Sequence, residues 1–328
     1  MACKTRNRRQ MVNKHLVQYV CFLIAFCGSA LTQITREFHQ ALSVSIAQPV
    51  SLNIELSEGD LQVAYRREGE VSISLQITAD SNVPSDFLAN LLSVSRVGNQ
   101  INIRQQHSLD TSPDRIRFTY RIDVPYRTEV HSFLNSGKQT ITGIMGPVSA
   151  EVNTGDLRVS YVSKAVVGHA VAGNLDFEVI GENAEAVTGR GNISCTRAAQ
   201  GVSAETGDGD ISLMVVGPSE AKVKQGAGRI DAGGVRGAFL ASTDAGGVHV
   251  KAVPHDDWRL ISVSGTIRLE LPPASSFDLD VMTTSGEVVV ARDDLPKLTV
   301  GVRQLNERAN GGGKRIEVRS TTGRIMVS

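Results

Sequence analysis

A five-residue motif, Gly-x-apolar-x-apolar, recurs at a nearly fixed interval through the second half of this 328-residue chain. It reads GDLRV from Gly155, GNLDF from Gly173, GNISC from Gly191, GDISL from Gly209 and GRIDA from Gly228. The series continues as GGVHV from Gly246, GTIRL from Gly265, GEVVV from Gly286 and GRIMV from Gly323. The intervals are 18, 18, 18, 19, 18, 19, 21 and 37 residues, the last close to two periods. A fixed period of this length marks a solenoid, whose repeats cannot bury an apolar face alone and must stack on their neighbours.

Within each motif the alternation has period 2, which sends one set of side chains inward and the other outward from a strand. The inward pairs are Leu157/Val159, Leu175/Phe177, Ile193/Cys195, Ile211/Leu213, Val248/Val250, Ile267/Leu269, Val288/Val290 and Ile325/Val327. A weaker strand precedes each glycine, with small or apolar residues seven and five positions upstream, as in Val148/Ala150, Val202/Ala204 and Leu279/Val281. Two strands and two turns in each period make one coil, with glycine at a corner where positive φ costs it least. Inward Ala150, Ala170, Ala186 and Ala204 predict a thin, flattened interior, in keeping with aromatic residues at only 5% of the chain. The fold expected is all-β, a parallel β-helix-like solenoid with coils of about 18 residues.

The chain divides into a leader at 1–30, an irregular β region at 42–146 that leads into or caps the stack, and regular coils at 147–328. A separate small β-domain is the alternative for the middle part. Within it, GDLQV from Gly59 and GEVSI from Gly69 look like related motifs, and Gly137 stands 18 residues before Gly155. Residues 81–92 (SNVPSDFLANLL) suggest a short helix after Pro84, and residues 292–313 a loop that skips one glycine corner.

The leader has the layout of an export signal. Lys4, Arg6, Arg8, Arg9 and Lys14 precede the apolar run LVQYVCFLIAFCGSA, which ends in small residues suited to cleavage after Ala30. The run is short and contains Gln18, so a cleaved signal is the first reading and an uncleaved anchor the second. Setting these five basic residues apart from the 34 leaves 29 against 34 acidic ones, a net of −5, which gives no electrostatic case for nucleic-acid binding. Cys3, Cys21 and Cys27 lie in the leader, leaving Cys195 without a disulfide partner and at an inward position that reads as core.

Taken together, the spaced Gly-Asp-Leu/Ile and Ser-Gly-x-Ile motifs are similar to those of the adhesin-type DUF4097 family, related to the GIN-domain β-repeat proteins of bacterial envelopes. The closing blocks SVSGTIRLELPPASSFDLDVMTTSGEVVV and NGGGKRIEVRSTTGRIMVS share the likeness, which extends over roughly residues 50–328. The resemblance implies a right-handed parallel β-helix outside the cytoplasmic membrane and brings no catalytic motif with it.

Each chemical constellation has a plainer reading. Asp208 and Asp210 in TGDGD resemble a fragment of a calcium repeat, but the acids do not recur at the nonapeptide spacing such sites need. His255, Asp256 and Asp257 are sequence neighbours in a turn and rarely converge on one metal. His169 and His249 fall on different coils at outward positions. Gly226, Gly228 and Gly233 lack the strand–turn–helix setting of a dinucleotide loop. Asn192-Ile-Ser194 matches a glycosylation sequon but lies in an expected strand, and Ser264, Ser285 and Thr322 read as turn formers. Outward Asp156, Asp176, Asp210 and Glu287, interspersed with Arg158, Arg229, Arg268 and Arg324, read as solubilising charge.

No catalytic, cofactor-binding or metal-ligating residue is therefore assigned, and no cofactor is expected. The function expected is that of a non-enzymatic, exported envelope protein in the periplasm or at the cell surface. As adhesin or scaffold it would meet an unknown surface partner, protein or glycan, or its own copies, touching membrane only through an uncleaved leader. A tethered sensory module is the alternative, with a polysaccharide-active enzyme behind it; fold alone does not separate them.

Overall fold

The computed structural model describes residues 34–79, 91–106, 116–292, 295 and 303–328. The leader at 1–30, and residues 81–90 of the expected helix, lie outside that set.

The chain begins with β1 (Ile34–Ser43), β2 (Val50–Glu58), β3 (Asp60–Tyr65), β4 (Glu70–Ala79), β5 (Leu92–Val97), β6 (Gln100–Gln105) and β7 (Ile116–Val124). Coils of two strands follow, as β8 (Thr128–Ser136) with β9 (Gln139–Thr142), β10 (Val148–Thr154) with β11 (Leu157–Val162), and β12 (Val166–Ala172) with β13 (Leu175–Ile180). Next are β14 (Ala184–Arg190) with β15 (Ile193–Ala198) and β16 (Val202–Asp208) with β17 (Ile211–Val216). In β18 (Ala221–Gly233) and β19 (Phe239–Lys251) both strands of a coil run on as one. The series closes with β20 (Trp258–Ser264), β21 (Ile267–Glu270), β22 (Phe277–Thr283), β23 (Val288–Val290), β24 (Gln304–Ala309), β25 (Lys314–Ser320) and β26 (Ile325–Val327).

From β8 to β21 each strand pairs in parallel with its counterparts one coil before and one coil after, so Val148 faces Val130 on one side and Val166 on the other. At roughly 4.8 Å per rung this builds a two-faced rod whose interior is lined by like residues in ladders. All eight inward pairs expected from the sequence are buried. The small residues opposite them set the thickness: a side chain on Gly168 would run into the rings and methyls of Phe177 and Leu157.

The corner glycines need glycine for two reasons. From Gly137 to Gly265 their φ lies in the left-handed half, as at Gly155 (φ 133°) and Gly191 (φ 138°). A Cβ on any of these, or on Gly286 or Gly323, would also fall onto the carbonyl of the corner glycine one rung away. That stacking gives the rung order directly, running Gly59, Gly137, Gly155 and on to Gly265, then Gly323 and last Gly286.

The two ends therefore depart from sequential stacking. At the first end, β2 and β3 lie between β8/β9 on one side and β6/β7 on the other, all in parallel. Antiparallel strands cover this end, with β4 between β1 and β7, and β5 beside β6. At the other end β25/β26 is inserted between β20/β21 and β22/β23, ahead of residues that precede it in sequence. This corrects the expectation that each coil stacks on the next.

Two further expectations change. Residues 292–313 are not all loop: β24 pairs antiparallel with β22, and the chain reverses through Asn310, Gly311 and Gly312, each at positive φ. Gly59 is a true corner, but Gly69 sits in the turn from β3 to β4 and corners nothing.

Candidate functional site

Outward side chains on this rod form columns running from rung to rung. A concave stretch of the outer surface lies over β6, β2, β8 and β10. It is a hollow of about 490 Å³ whose polar lining includes Asn53, Asn102, His131, Ser149 and Glu151, beside the ring of Phe133. Parallel register places Asn102, Asn53, His131 and Ser149 in one column, and Arg104, Glu55, Phe133 and Glu151 in the next. The hollow exists because short side chains, Asn and Ser, stand beside the large Phe133.

Asn53 Nδ2 donates to Asn102 Oδ1 at 3.0 Å and Asn102 Nδ2 to Ser95 Oγ at 3.5 Å, so of the two amides it is Asn53 that keeps its oxygen for a ligand. Arg104 Nε lies 3.0 Å from Glu55 Oε2, and His131 Nε2 lies 2.9 Å from Glu129 Oε1. Glu151 is exposed and holds no ion pair among the described residues. A half-buried ring, two amides and one carboxylate suit a neutral polyhydroxylated ligand with an apolar face, such as a sugar ring. Sequence reasoning did not find this hollow. Its residues come from strands separated by up to about 100 positions, and only the non-sequential rung order brings β6, β2 and β8 side by side.

The residues singled out from sequence are placed as follows. Cys195 is buried in the core, where burial pushes its thiol up to about 12 and the charge of Asp176 adds to the shift. Asp256 Oδ1 accepts from the Asp257 N–H and meets Lys314 Nζ at 3.3 Å, which holds its carboxyl below the usual range. Asp257 Oδ1 accepts the Arg315 N–H at 2.8 Å, and His255 is exposed, so this turn clasps the inserted β25. Gly226 and Gly228 lie within β18.

Asp156 and Asp210 do more than solubilise. With Asn174 and Asn192 they form a ladder in which each side-chain oxygen accepts the backbone N–H of its counterpart one rung on, at 2.8–3.0 Å. Asn192 accordingly stands at an exposed corner before β15 and not within a strand. Ser264, Ser285 and Thr322 donate to the carbonyls of Asp244, Thr321 and Val263, bracing turns across rungs. His249 lies between Asp231 and Glu270, 3.2 Å from each, with its two ring nitrogens facing opposite ways. Asp176 and Glu178 are joined by Arg158, and Glu178 also meets Arg197 at 3.0 Å.

One feature of the interior went unread in the sequence. Thr188, Thr206, Gln225, Ser262 and Thr283 are buried polar residues three positions before their corner glycines. Each donates to the corner carbonyl of an adjacent rung, as Thr188 Oγ1 does to Gly173 O at 3.0 Å. The constant offset of a polar residue on an inward parity was the signal for it.

Comparison with known proteins adds the following. Residues 166–328 match the model of the family described as Toastrack DUF4097. No curated protein matches the chain. Among solved structures the chain is similar to a candidate adhesin from Bacteroides fragilis at 14% identity, covering 91% of this chain and 98% of that one with a TM-score of 0.31. It is also similar to a candidate adhesin from Parabacteroides distasonis at 11% identity, covering 89% and 97% with a TM-score of 0.39. A candidate lipid-binding protein from Parabacteroides distasonis is similar at 10% identity, covering 89% and 96% with a TM-score of 0.28. These likenesses assign no activity to this chain.

Proposed function

We propose that this chain, whose residues 166–328 belong to the Toastrack DUF4097 family, is an exported, non-enzymatic surface protein that meets its partner through the hollow over β2, β6, β8 and β10. The observation that carries the reading is the hollow itself, where the half-buried Phe133 stands beside the Asn53 and Asn102 amides. The basic-then-apolar leader supports export to the periplasm or cell surface. The acids of the second face support binding over catalysis, because Asp176, Glu178, Asp231 and Glu270 are each engaged with a basic neighbour. An adhesive or scaffolding role follows, with a glycan as the partner whose chemistry fits best.

A glycan-array screen of the secreted protein tests this. The expected result is binding to a defined glycan class that falls about tenfold in Phe133→Ala, the scale of one lost aromatic stacking contact. The melting temperature of that variant should fall by only a few degrees, since Phe133 is half-buried on the outer face and not part of the core. No binding across the array, or equal binding by Phe133→Ala, would count against the hollow as a glycan site. Retention of the chain in the cytoplasmic fraction would overturn export.

A further inference from the structure

The coil formed by β25 and β26 occupies a slot made by other parts of the chain. Its walls, β20/β21 and β22/β23, are themselves spaced 19 to 21 residues apart, about one ordinary period. By sequence they would stack directly, yet 314–328 stands between them and pairs in parallel with both.

Charge on the coil and on the walls is complementary. The coil carries Lys314, Arg315, Arg319 and Arg324 against Glu317 alone. The walls carry Asp256, Asp257, Glu270, Asp278, Asp280 and Glu287 against Arg259 and Arg268. Asp280 Oδ2 receives both Arg315 and Arg319 at 2.8 Å, and Glu287 lies 3.6 Å from Arg324. Glu317 is shared between Arg319 on its own strand, at 3.3 Å, and Arg259 on the β20 wall, at 3.7 Å.

The coil also arrives as part of a clip. β24 pairs with one edge of β22 and β25 with the other, and Asn310 in the turn between them donates to the carbonyls of Pro273 and Ser275, each at 2.9 Å. Thirteen residues, 291–303, join this clip to β23. At roughly 3.5 Å per residue such a length reaches up to about 45 Å, enough to serve a neighbouring molecule.

We propose that the slot between β20/β21 and β22/β23 accepts the 304–328 clip of a second copy of this chain, so that molecules are joined by coil exchange. Every contact that closes the slot within one chain is available between two, because the partner brings the same residues to the same rung. Exchange is settled during folding, when the slot is open, and joined species increase with chain concentration relative to self-closure.

The test uses two full-length variants, both with Cys3→Ser, Cys21→Ser and Cys27→Ser and with buried Cys195 retained. One carries Arg259→Cys and the other Glu317→Cys, positions that face each other in register on β20 and β25. Neighbouring parallel strands bring such a pair within disulfide reach. The two are unfolded, mixed, refolded and oxidised. The expected product is a disulfide-linked pair of twice the 35.1 kDa chain mass, rising roughly in proportion to refolding concentration. A third variant with both cysteines in one chain, refolded dilute, should close an intrachain bridge. The proposal is overturned if that bridge closes while the mixed pair yields no more linked product than either single variant alone. Failure of the bridge to close contradicts the rung order and overturns the proposal with it.

Discussion

At the corner glycines a single hydrogen in place of a methyl sets the distance between rungs. Gly173→Ala would put Cβ onto the Gly155 carbonyl at a φ of 156°, against backbone and with no flexible side chain to give way. We expect it to lower stability by at least about 3 kcal/mol in thermal or urea unfolding, the upper range for one strained backbone site. Gly98→Ala, where nothing lies within 4 Å of the added carbon, should cost only about 1 kcal/mol for its left-handed φ. The corner glycines were legible because one residue type returning at one spacing points to a backbone position that only glycine can fill. A second left-handed column was not legible: Tyr161 (φ 56°), Val179 (φ 57°), Arg197 (φ 62°) and Val215 (φ 58°) share no chemistry. Each turns the next residue, such as Val162 or Ile180, back into the core after strict alternation would have sent it out. A β-branched side chain is strained there, so Val215→Gly, made at an exposed site, should be neutral or stabilising by up to about 1 kcal/mol. A loss of the ordinary Val-to-Gly kind in calorimetry would contradict that strain.

Strands in this molecule are held by side chains that reach one rung along as much as by their own ladders. Asn192→Ala removes the acceptor for the Asp210 N–H and should cost about 1 kcal/mol, read from the urea midpoint at unchanged m-value. Asp280 clasps the inserted coil through two of its arginines, Arg315 and Arg319. Its hydrogen bond from Arg319 lowers its carboxyl pKa against an opposing desolvation, and Arg315 lowers it further. A carboxylate depressed on folding contributes stability that is present above its ordinary value near 4 and is lost as pH falls through the lower folded value. Asp280→Asn should therefore destabilise by about 2 kcal/mol at neutral pH. It should also flatten the fall in melting temperature between about pH 5 and 3, and an identical acid slope in both proteins would exclude Asp280 as its source. The inward pairs and the outward acids of these strands were legible from period-2 alternation. Which acid pairs with which base was not, since partners such as Asp280 and Arg319 are 39 residues apart.

Across the whole molecule the same regularity that reveals the fold conceals its order. The β22/β23 and β25/β26 coils carry the same inward pattern, Leu279/Val281 with Val288/Val290 and Ile316/Val318 with Ile325/Val327, so either could follow β21 by local fit. The insertion is decided by charge and by the β24 clip, both of which depend on contacts beyond one period. The hollow at the other end was hidden for a like reason: β2 precedes β6 in sequence but lies between it and β8. At both ends a coil belonging to one part of the chain is thus keyed between two coils of another. A pull applied through residues 50 and 328 would not start at an outermost rung and peel the rod open like a zip. It would load β2 and β26, each hydrogen-bonded to a neighbour on both sides, so the first strand to come away must leave two ladders and not one.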